Sequence, residues 1–369
     1  MSNARLLETF LDLVRIDSPT GAESAVAAYC MRVLEDAGCQ VRFDDSADET
    51  GADVGNLIAD LPGTAGQTLV LSAHMDCVDP CLGVEPIIED GVVRSAGTTV
   101  LGGDDKAGVA AILESVRRMA ESDAPHGPVR IVFTVSEETG LRGAKALDPA
   151  LLDGGDLCLV LDADGAPGGI VIGAPTHYTF AAVFVGSAAH AGVSPEKGTS
   201  AISMASAAIC AMPQGRLDNE TTANVGTIEG GTATNVIPGT VQLTGECRSL
   251  NRERVESVRS EMDRAMNEAA QAVGGTVRVA WTREYEGFHF DEKHPVVTML
   301  SAACVDVELE PHTLTTGGGS DGSIFSSHIP TLVLSCGMSE VHSISEKIKV
   351  ADLESLTALM GAVVSRMAQ

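Results

Sequence analysis

Five short stretches of the chain carry side chains able to do metal or acid–base chemistry. His74 and Asp76 lie two residues apart at the end of the largely apolar run Thr68–Asp76. Asp104 and Asp105 follow a glycine pair in Leu101-Gly-Gly-Asp-Asp-Lys-Ala-Gly108. Glu137 and Glu138 come just after the apolar run Val129–Val135, and Asp162 closes Leu157–Leu161. His342 lies a few residues beyond another apolar run, Thr331–Ser335. An imidazole can ligate a metal through one ring nitrogen while a carboxylate nearby holds the other ring N–H. Adjacent carboxylates disfavour each other's charge unless a cation or a shared proton relieves them.

Each stretch also has an ordinary structural reading. A histidine at a strand end is commonly just hydrogen-bonded, Asp104 and Asp105 could cap a helix, and Glu137 and Glu138 could be a solvated strand end. Their recurrence at the same end of successive strands is what the separate readings leave unexplained, because the carboxyl ends of strands in an open α/β sheet are where ligands bind. His74, His342, Asp104, Glu138 and Asp162 form a hard-to-borderline donor set. It suits two divalent ions, with zinc the best fit and cobalt or manganese as alternatives.

The elements that must position these residues follow from periodicity. Residues 4–16 and 23–37 have helical apolar spacing, joined by a turn-rich link with a helix-start pattern, Asp17-Ser-Pro-Thr-Gly-Ala-Glu23. Strands are expected at Gln40–Phe43, Asn56–Leu61 and from Thr68, and a small hairpin around Asp90-Gly91. A helix runs from the Asp104 turn to about Ala120. From about Pro175 to Glu286 the pattern becomes strand, helix, strand, strand, helix, strand. The long helix Arg252–Val273 shows an apolar stripe of Val255, Val258, Met262, Ala265, Met266, Ala269 and Val273. Helix–strand alternation then resumes, with a glycine-rich turn at Gly317–Gly319, a helix from Ser320 and a last helix at Ala351–Met367. The organisation expected is a first catalytic part at 1–174, an inserted α+β domain at 175–286, and a second catalytic part at 287–369.

Composition limits the function classes. The 369 residues exceed one ordinary core. Lys+Arg number 24 against Asp+Glu 51, a formal net charge of -27, and aromatics are 3%. That argues against nucleic acid or an anionic membrane as partner, since phosphate binding needs basic patches. No apolar run approaches a membrane span, and the polar N-terminal stretch is unlike a signal peptide; the expected setting is cytoplasmic. The scattered cysteines, Cys30, Cys158, Cys210 and Cys304 among them, read as buried free thiols. Cys77 and Cys81 sit close to His74, but no second pair at zinc-site spacing accompanies them.

Taken together, these motifs resemble the two-zinc exopeptidase and deacylase family that includes peptidase T, acetylornithine and succinyl-diaminopimelate deacylases, and aminoacylase. The resemblance runs nearly end to end: Ser72-Ala-His-Met-Asp76, Gly103-Asp-Asp-Lys-Ala-Gly108, Ser136-Glu-Glu-Thr-Gly140, Leu161-Asp162, the stretch with His190, Gly230-Gly-Thr-Ala-Thr-Asn-Val-Ile-Pro238, and His342 ahead of Ser345-Glu346-Lys347. The Asp-Asp-Lys form and Asp at position 162 are closest to the peptidase T-like branch.

The resemblance implies a zinc-exopeptidase-like α/β fold, with a mixed-sheet three-layer catalytic domain and an inserted α+β lid/dimerisation domain. It implies Asp104 as a bridging ligand, His74 and Asp162 on one ion, and Glu138 and His342 on the other. Asp105 takes a non-ligand position, the peptide bond after Asp104 is often cis in the family, and Asp76 would orient His74. Glu137 would be the general base. His190 would reach a partner subunit's site from the lid, and Asn235, Arg248, Gly318 and Ser320 would touch substrate. The activity implied is hydrolysis of short peptides, tripeptide aminopeptidase-like, by a homodimer joined through the inserted domain. An N-acyl-amino-acid deacylase with the same site chemistry is the alternative. A non-catalytic binding protein on the same fold is disfavoured, because neither a ligand nor the base is missing. His126, His177, His289, His294, His312 and His328 read as structural or surface residues, and Asp164 as a turn former.

Overall fold

A computed structural model describes residues 2–369. The chain divides into two compact units, the first formed by Met1–Ile172, Phe290–Thr315 and Ser320–Gln369, the second by Gly173–His289 and Thr316–Gly319. Both combine helices and sheet, the α/β architecture expected from the sequence.

The first unit is organised on a mixed sheet whose centre is parallel. Strand Leu69–His74 lies between Val129–Thr134 and Leu157–Ala163, parallel to both, and Thr331–Ser335 runs parallel to Leu157–Ala163 on its far side. Leu57–Leu61 and Gln40–Phe43 extend one edge antiparallel. Gly169–Ala174, a strand with no counterpart in the sequence reading, pairs antiparallel with Thr331–Ser335. All six residues of Leu69–His74 are buried, as continuous apolar runs in parallel sheets require. Side chains alternate across the strand. Leu69, Leu71 and Ala73 join the main core with helices Ser2–Arg15, Ser24–Asp36, Gly103–Ala120, Pro295–Asp306 and Val350–Met367. The short helix Asp321–Phe325 packs on Leu157–Ala163 and Thr331–Ser335. The hairpin expected at Asp90-Gly91 is present, Pro86–Glu89 pairing with Val92–Ser95. Among the described residues no helix is long and apolar enough to cross a membrane.

The second unit is a five-stranded antiparallel sheet in the order Gly215–Arg216, Thr221–Gly230, Thr240–Ser249, Thr176–Val185, Thr276–Tyr285. Phe180, Ala182 and Phe184, on the interior strand Thr176–Val185, join a core shared with helices Ala201–Ala211 and Arg252–Gln271. Two sequence expectations need correction here. Val273 lies beyond the end of its helix at Gln271 and is 52% exposed, because Gly274 and Gly275 turn the chain away; the buried stripe ends on Ala270 instead. Cys210 is exposed, since it shares a face with the exposed Ser203 and Ser206 while the helix buries Ala201, Met204, Ala205 and Ala208. The other eight cysteines are buried. Native protein treated with a thiol reagent is therefore expected to take one label, on Cys210, and Cys210→Ser to take none; mass spectrometry of intact protein reads both.

Candidate active site

The carboxyl ends of the parallel strands and the start of one helix bring the candidate ligands together. Strand Leu69–His74 ends on the buried His74. Its Nε2 lies 3.1 Å from Asp104 Oδ1 and 3.6 Å from Asp162 Oδ1. His342, half-exposed and in the left-handed region at φ 59°, approaches from the loop after Thr331–Ser335. Its Nε2 lies 3.2 Å from Asp104 Oδ2 and 3.1 Å from Glu138 Oε2. The two oxygens of Asp104 thus face two different histidines, each with a further carboxylate.

The geometry of Asp104 depends on its neighbours. The peptide bond between Asp104 and Asp105 is cis. These two residues are the non-helical start of Gly103–Ala120. Glu346, buried, accepts hydrogen bonds at 2.8 Å from the backbone N–H groups of Leu101, Gly102 and Asp104. Asp105 is fully buried and already committed: Oδ1 accepts from Gly108 N at 3.1 Å and Oδ2 from His74 N at 3.2 Å. Lys106, also buried, donates to the carbonyl of Ile16 at 2.8 Å.

Asp76 sits behind His74. The ring Nδ1 is 3.0 Å from the Asp76 backbone carbonyl and 3.4 Å from its carboxylate. The carboxylate is mainly occupied elsewhere, accepting from Glu137 N at 2.9 Å, Glu138 N at 3.2 Å and Thr20 Oγ1 at 2.6 Å. Glu137 is buried beside these groups.

Electrostatics describe a site short of positive charge. Burial pushes Glu137 well above the ordinary carboxylate value, with Asp162, Asp321 and Glu138 adding to the effect against His74. Burial works against ionisation of Asp104 too, yet hydrogen bonds from His342 and His74 hold it below its ordinary value. Hydrogen bonds to Asp104 and Glu138 raise His342 to about 10. His74 is raised as well, since its bonds to Asp104, Asp162 and Asp76 outweigh a burial that would lower it. Glu138 Oε1 is buried with no hydrogen-bond partner. An orphaned buried carboxylate oxygen, facing a set of imidazoles and carboxylates, is what a divalent cation relieves. Cys77 and Cys81 offer no thiolate: burial pushes both thiols up, Cys81 to about 11.

Burial pushes Asp162 up to about 7 and Asp321 up to about 6, from 3.8 for each. An acid raised on folding contributes stability that is complete below its unfolded value and is lost as pH rises through the folded one. Chelator-treated protein is therefore expected to melt at a lower temperature at pH about 8 than at pH about 5. Asp321→Asn, which keeps an acceptor for Thr134, should flatten that slope. A melting temperature that rises over this range would refute the burial effect.

Four groups escaped the sequence reading. Asp321 accepts from Thr134 Oγ1, and its other oxygen is buried without a partner. Thr20 and Glu346 have been described above. Glu23 heads helix Ser24–Asp36 but gives it no side-chain cap; Oε1 instead accepts from Ser136 N and Gly21 N, each at 2.9 Å. Asp321 directly follows the turn that the sequence flagged, and Glu23 closes the link read as a helix start. Thr20 lies in the same link and Glu346 in the stretch Ser345-Glu346-Lys347, so position alone could have signalled them.

The remaining predicted residues lie in the second unit, apart from Ser320. There, His190 is exposed on a short ribbon pairing Ala189–His190 with Val236–Ile237, and Ala191 N donates to the Asn235 carbonyl at 2.9 Å. Arg248 is held by Glu246, Nη2 at 2.7 Å and Nε at 3.2 Å from Oε2. The same oxygen lies 2.8 Å from Nε2 of His177. Gly318 N donates to Thr316 Oγ1 at 3.0 Å. In the first unit, Ser320 caps Asp321–Phe325, its hydroxyl accepting from Gly322 N at 3.2 Å.

Known proteins are similar to this chain in sequence and fold. The family model for peptidase family M20/M25/M40 matches residues 70–366. An uncharacterized protein of Bacillus subtilis (strain 168) is 41% identical over 371 residues, covering 100% of each chain. The crystal structure of aminopeptidase PepT from Bacillus cereus superposes with TM-score 0.93 at 41% identity, covering 100% of this chain and 99% of that one. A tripeptidase from Staphylococcus aureus superposes with TM-score 0.94 at 37% identity, covering 99% and 98%. The resemblance read from the motifs holds: this chain belongs to peptidase family M20/M25/M40, on its peptidase T-like side.

Proposed function

We propose that the protein is a dinuclear metal exopeptidase that hydrolyses an amide bond of short peptides, tripeptides first among them. The observation that carries this is Asp104, whose two carboxylate oxygens face His74 and His342 at 3.1 and 3.2 Å. The similarity to a PepT aminopeptidase and to a tripeptidase supports the substrate class.

In this reading His74, Asp104 and Asp162 would hold one divalent ion, and Asp104, Glu138 and His342 the other. When bound, such a pair acidifies water from 15.7 towards about 7 and polarises an amide carbonyl; imidazole and carboxylate donors suit zinc. Glu137 is the general base. Burial raises its carboxyl above the ordinary value and so makes the carboxylate a stronger proton acceptor, able to take a proton from the attacking water and give it to the leaving amine. Asp76 keeps Glu137 in place by accepting its backbone N–H, and its backbone carbonyl faces the Nδ1 of His74 and orients the ring. Arg248, already oriented by Glu246, is the anchor for a substrate carboxylate, since its fork matches that geometry. Asn235 and the Gly318–Ser320 turn are further substrate contacts, and His190 steadies the developing oxyanion.

The second unit is the lid and dimerisation domain of a homodimer. One side of Val225–Gly230 carries no strand among the described residues, and such an edge can pair across a two-fold axis. Sedimentation showing only monomer at micromolar protein would refute the dimer and a role for His190 in the partner's site.

The deciding experiment incubates zinc-, cobalt- and manganese-loaded protein with tripeptides, dipeptides and N-acetyl amino acids, products being read by mass spectrometry. Release of an N-terminal residue from tripeptides is expected. Cleavage confined to N-acetyl amino acids would make the protein a deacylase, and cleavage of none would refute the reading.

A further inference from the structure

Four consecutive backbone N–H groups, from Val135 to Glu138, are all accepted by side chains from distant segments. Val135 N donates to Asn56 Oδ1 at 3.0 Å and Ser136 N to Glu23 Oε1 at 2.9 Å. Glu137 N and Glu138 N donate to the two oxygens of Asp76. Ser136 is in the left-handed region at φ 53°, a conformation uncommon for a residue with a side chain. This is the turn that swings Glu137 and Glu138 off the end of strand Val129–Thr134.

The link Asp17–Glu23 reaches this turn directly through Glu23 and indirectly through Thr20 and Asp76. Glu23 Oε1 takes the Ser136 N–H and lies 3.3 Å from the Ser136 hydroxyl. Thr20 Oγ1 donates at 2.6 Å to the Asp76 oxygen that also receives Glu138 N. Link and site strand are registered by Cys77 N donating to the Ser18 carbonyl at 2.9 Å and by the Pro19–Cys77 bridge. Gly21 N, at φ 89°, closes a local ring on Glu23 Oε1 at 2.9 Å. A carboxylate that is fully buried, does not cap its own helix, and leaves Oε2 without a partner is costly. Its retained use is the N–H of Ser136.

We propose that Thr20 and Glu23 are positioning residues, which together fix the Ser136 turn that delivers the general base Glu137 and the carboxylate Glu138. The role of Glu137 rests on the function proposed above; the fixing of the turn does not.

The test therefore has two readouts on the full chain. The first is hydrogen exchange of amides 136–138 in metal-free protein. The second is kcat and KM on a cleaved tripeptide with metal saturating. Glu23→Ala should speed exchange about tenfold or more and lower kcat by up to about a hundredfold, with KM within about twofold. Glu23→Gln keeps an acceptor oxygen and should restore most of kcat. Thr20→Val should act in the same direction as Glu23→Ala, and Thr20→Ser should match the parent protein. If Glu23→Ala does not fold, the Thr20 pair, on a half-buried residue, carries the test. Unchanged exchange and kcat in Thr20→Val and Glu23→Ala would overturn the proposal. So would a loss that falls equally on Glu23→Gln, which would mark a general need for a carboxylate rather than for its hydrogen bond. Faster exchange in a protein that cleaves no peptide would leave the turn as described and refute the assignment of Glu137.

Discussion

Glu137→Gln is expected to lower kcat by about a hundred- to ten-thousand-fold, the usual worth of a positioned proton-transfer group. The side chain keeps its volume and its buried place, and its backbone N–H still donates to Asp76. What it loses is the capacity to hold a proton taken from water. KM should therefore change little, because an interaction made only in the transition state lowers kcat and kcat/KM together. Bound metal, measured by elemental analysis after dialysis, should equal that of the parent protein, since the reading gives Glu137 no place among the ligands. A variant that retains parental kcat with full metal would show that another group moves the proton. One that loses metal would place Glu137 in the ligand set.

Asp104→Ala should have a different signature. Both of its oxygens face a histidine, so its removal takes a donor from each proposed ion position at once. Metal content should fall for both ions, and hydrolysis should drop to background at any metal concentration that leaves the protein soluble. Asp162→Ala and His342→Ala each remove a donor from only one cluster, and each should retain about one ion per chain. If Asp104→Ala kept one tightly bound ion, the bridging assignment would be wrong, even if activity were lost.

The candidate ligands were readable from sequence for a physical reason. Parallel strands buried on both faces are largely apolar, so a charged residue closing such a run marks the strand's end at the edge of the sheet. His74, Glu137, Asp162 and, at more distance, His342 are such markers, and the fold gathers their ends. The same logic failed for Gly169–Ala174, whose apolar run of Ile170, Val171 and Ile172 is only three residues between glycines and carries no charged residue at its end. It also failed for Thr20, Glu23, Asp321 and Glu346, which act by hydrogen bonds to partners far along the chain: 113 residues separate Glu23 from Ser136, and 245 separate Glu346 from Leu101. No periodicity carries information over such distances. Val273 and Cys210 show the opposite error. An apolar residue at the right spacing is buried only if the helix still exists there and a neighbour covers that side.

The three backbone N–H groups held by Glu346 bear on when, during synthesis, the protein can act. The ribosome delivers His74, Asp104, Glu137, Glu138 and Asp162 well before His342 and Glu346. Until those emerge, Asp104 lacks its second histidine and its loop lacks its clamp. An unfinished chain is therefore a peptidase without a working centre, although most of its proposed ligands have been made.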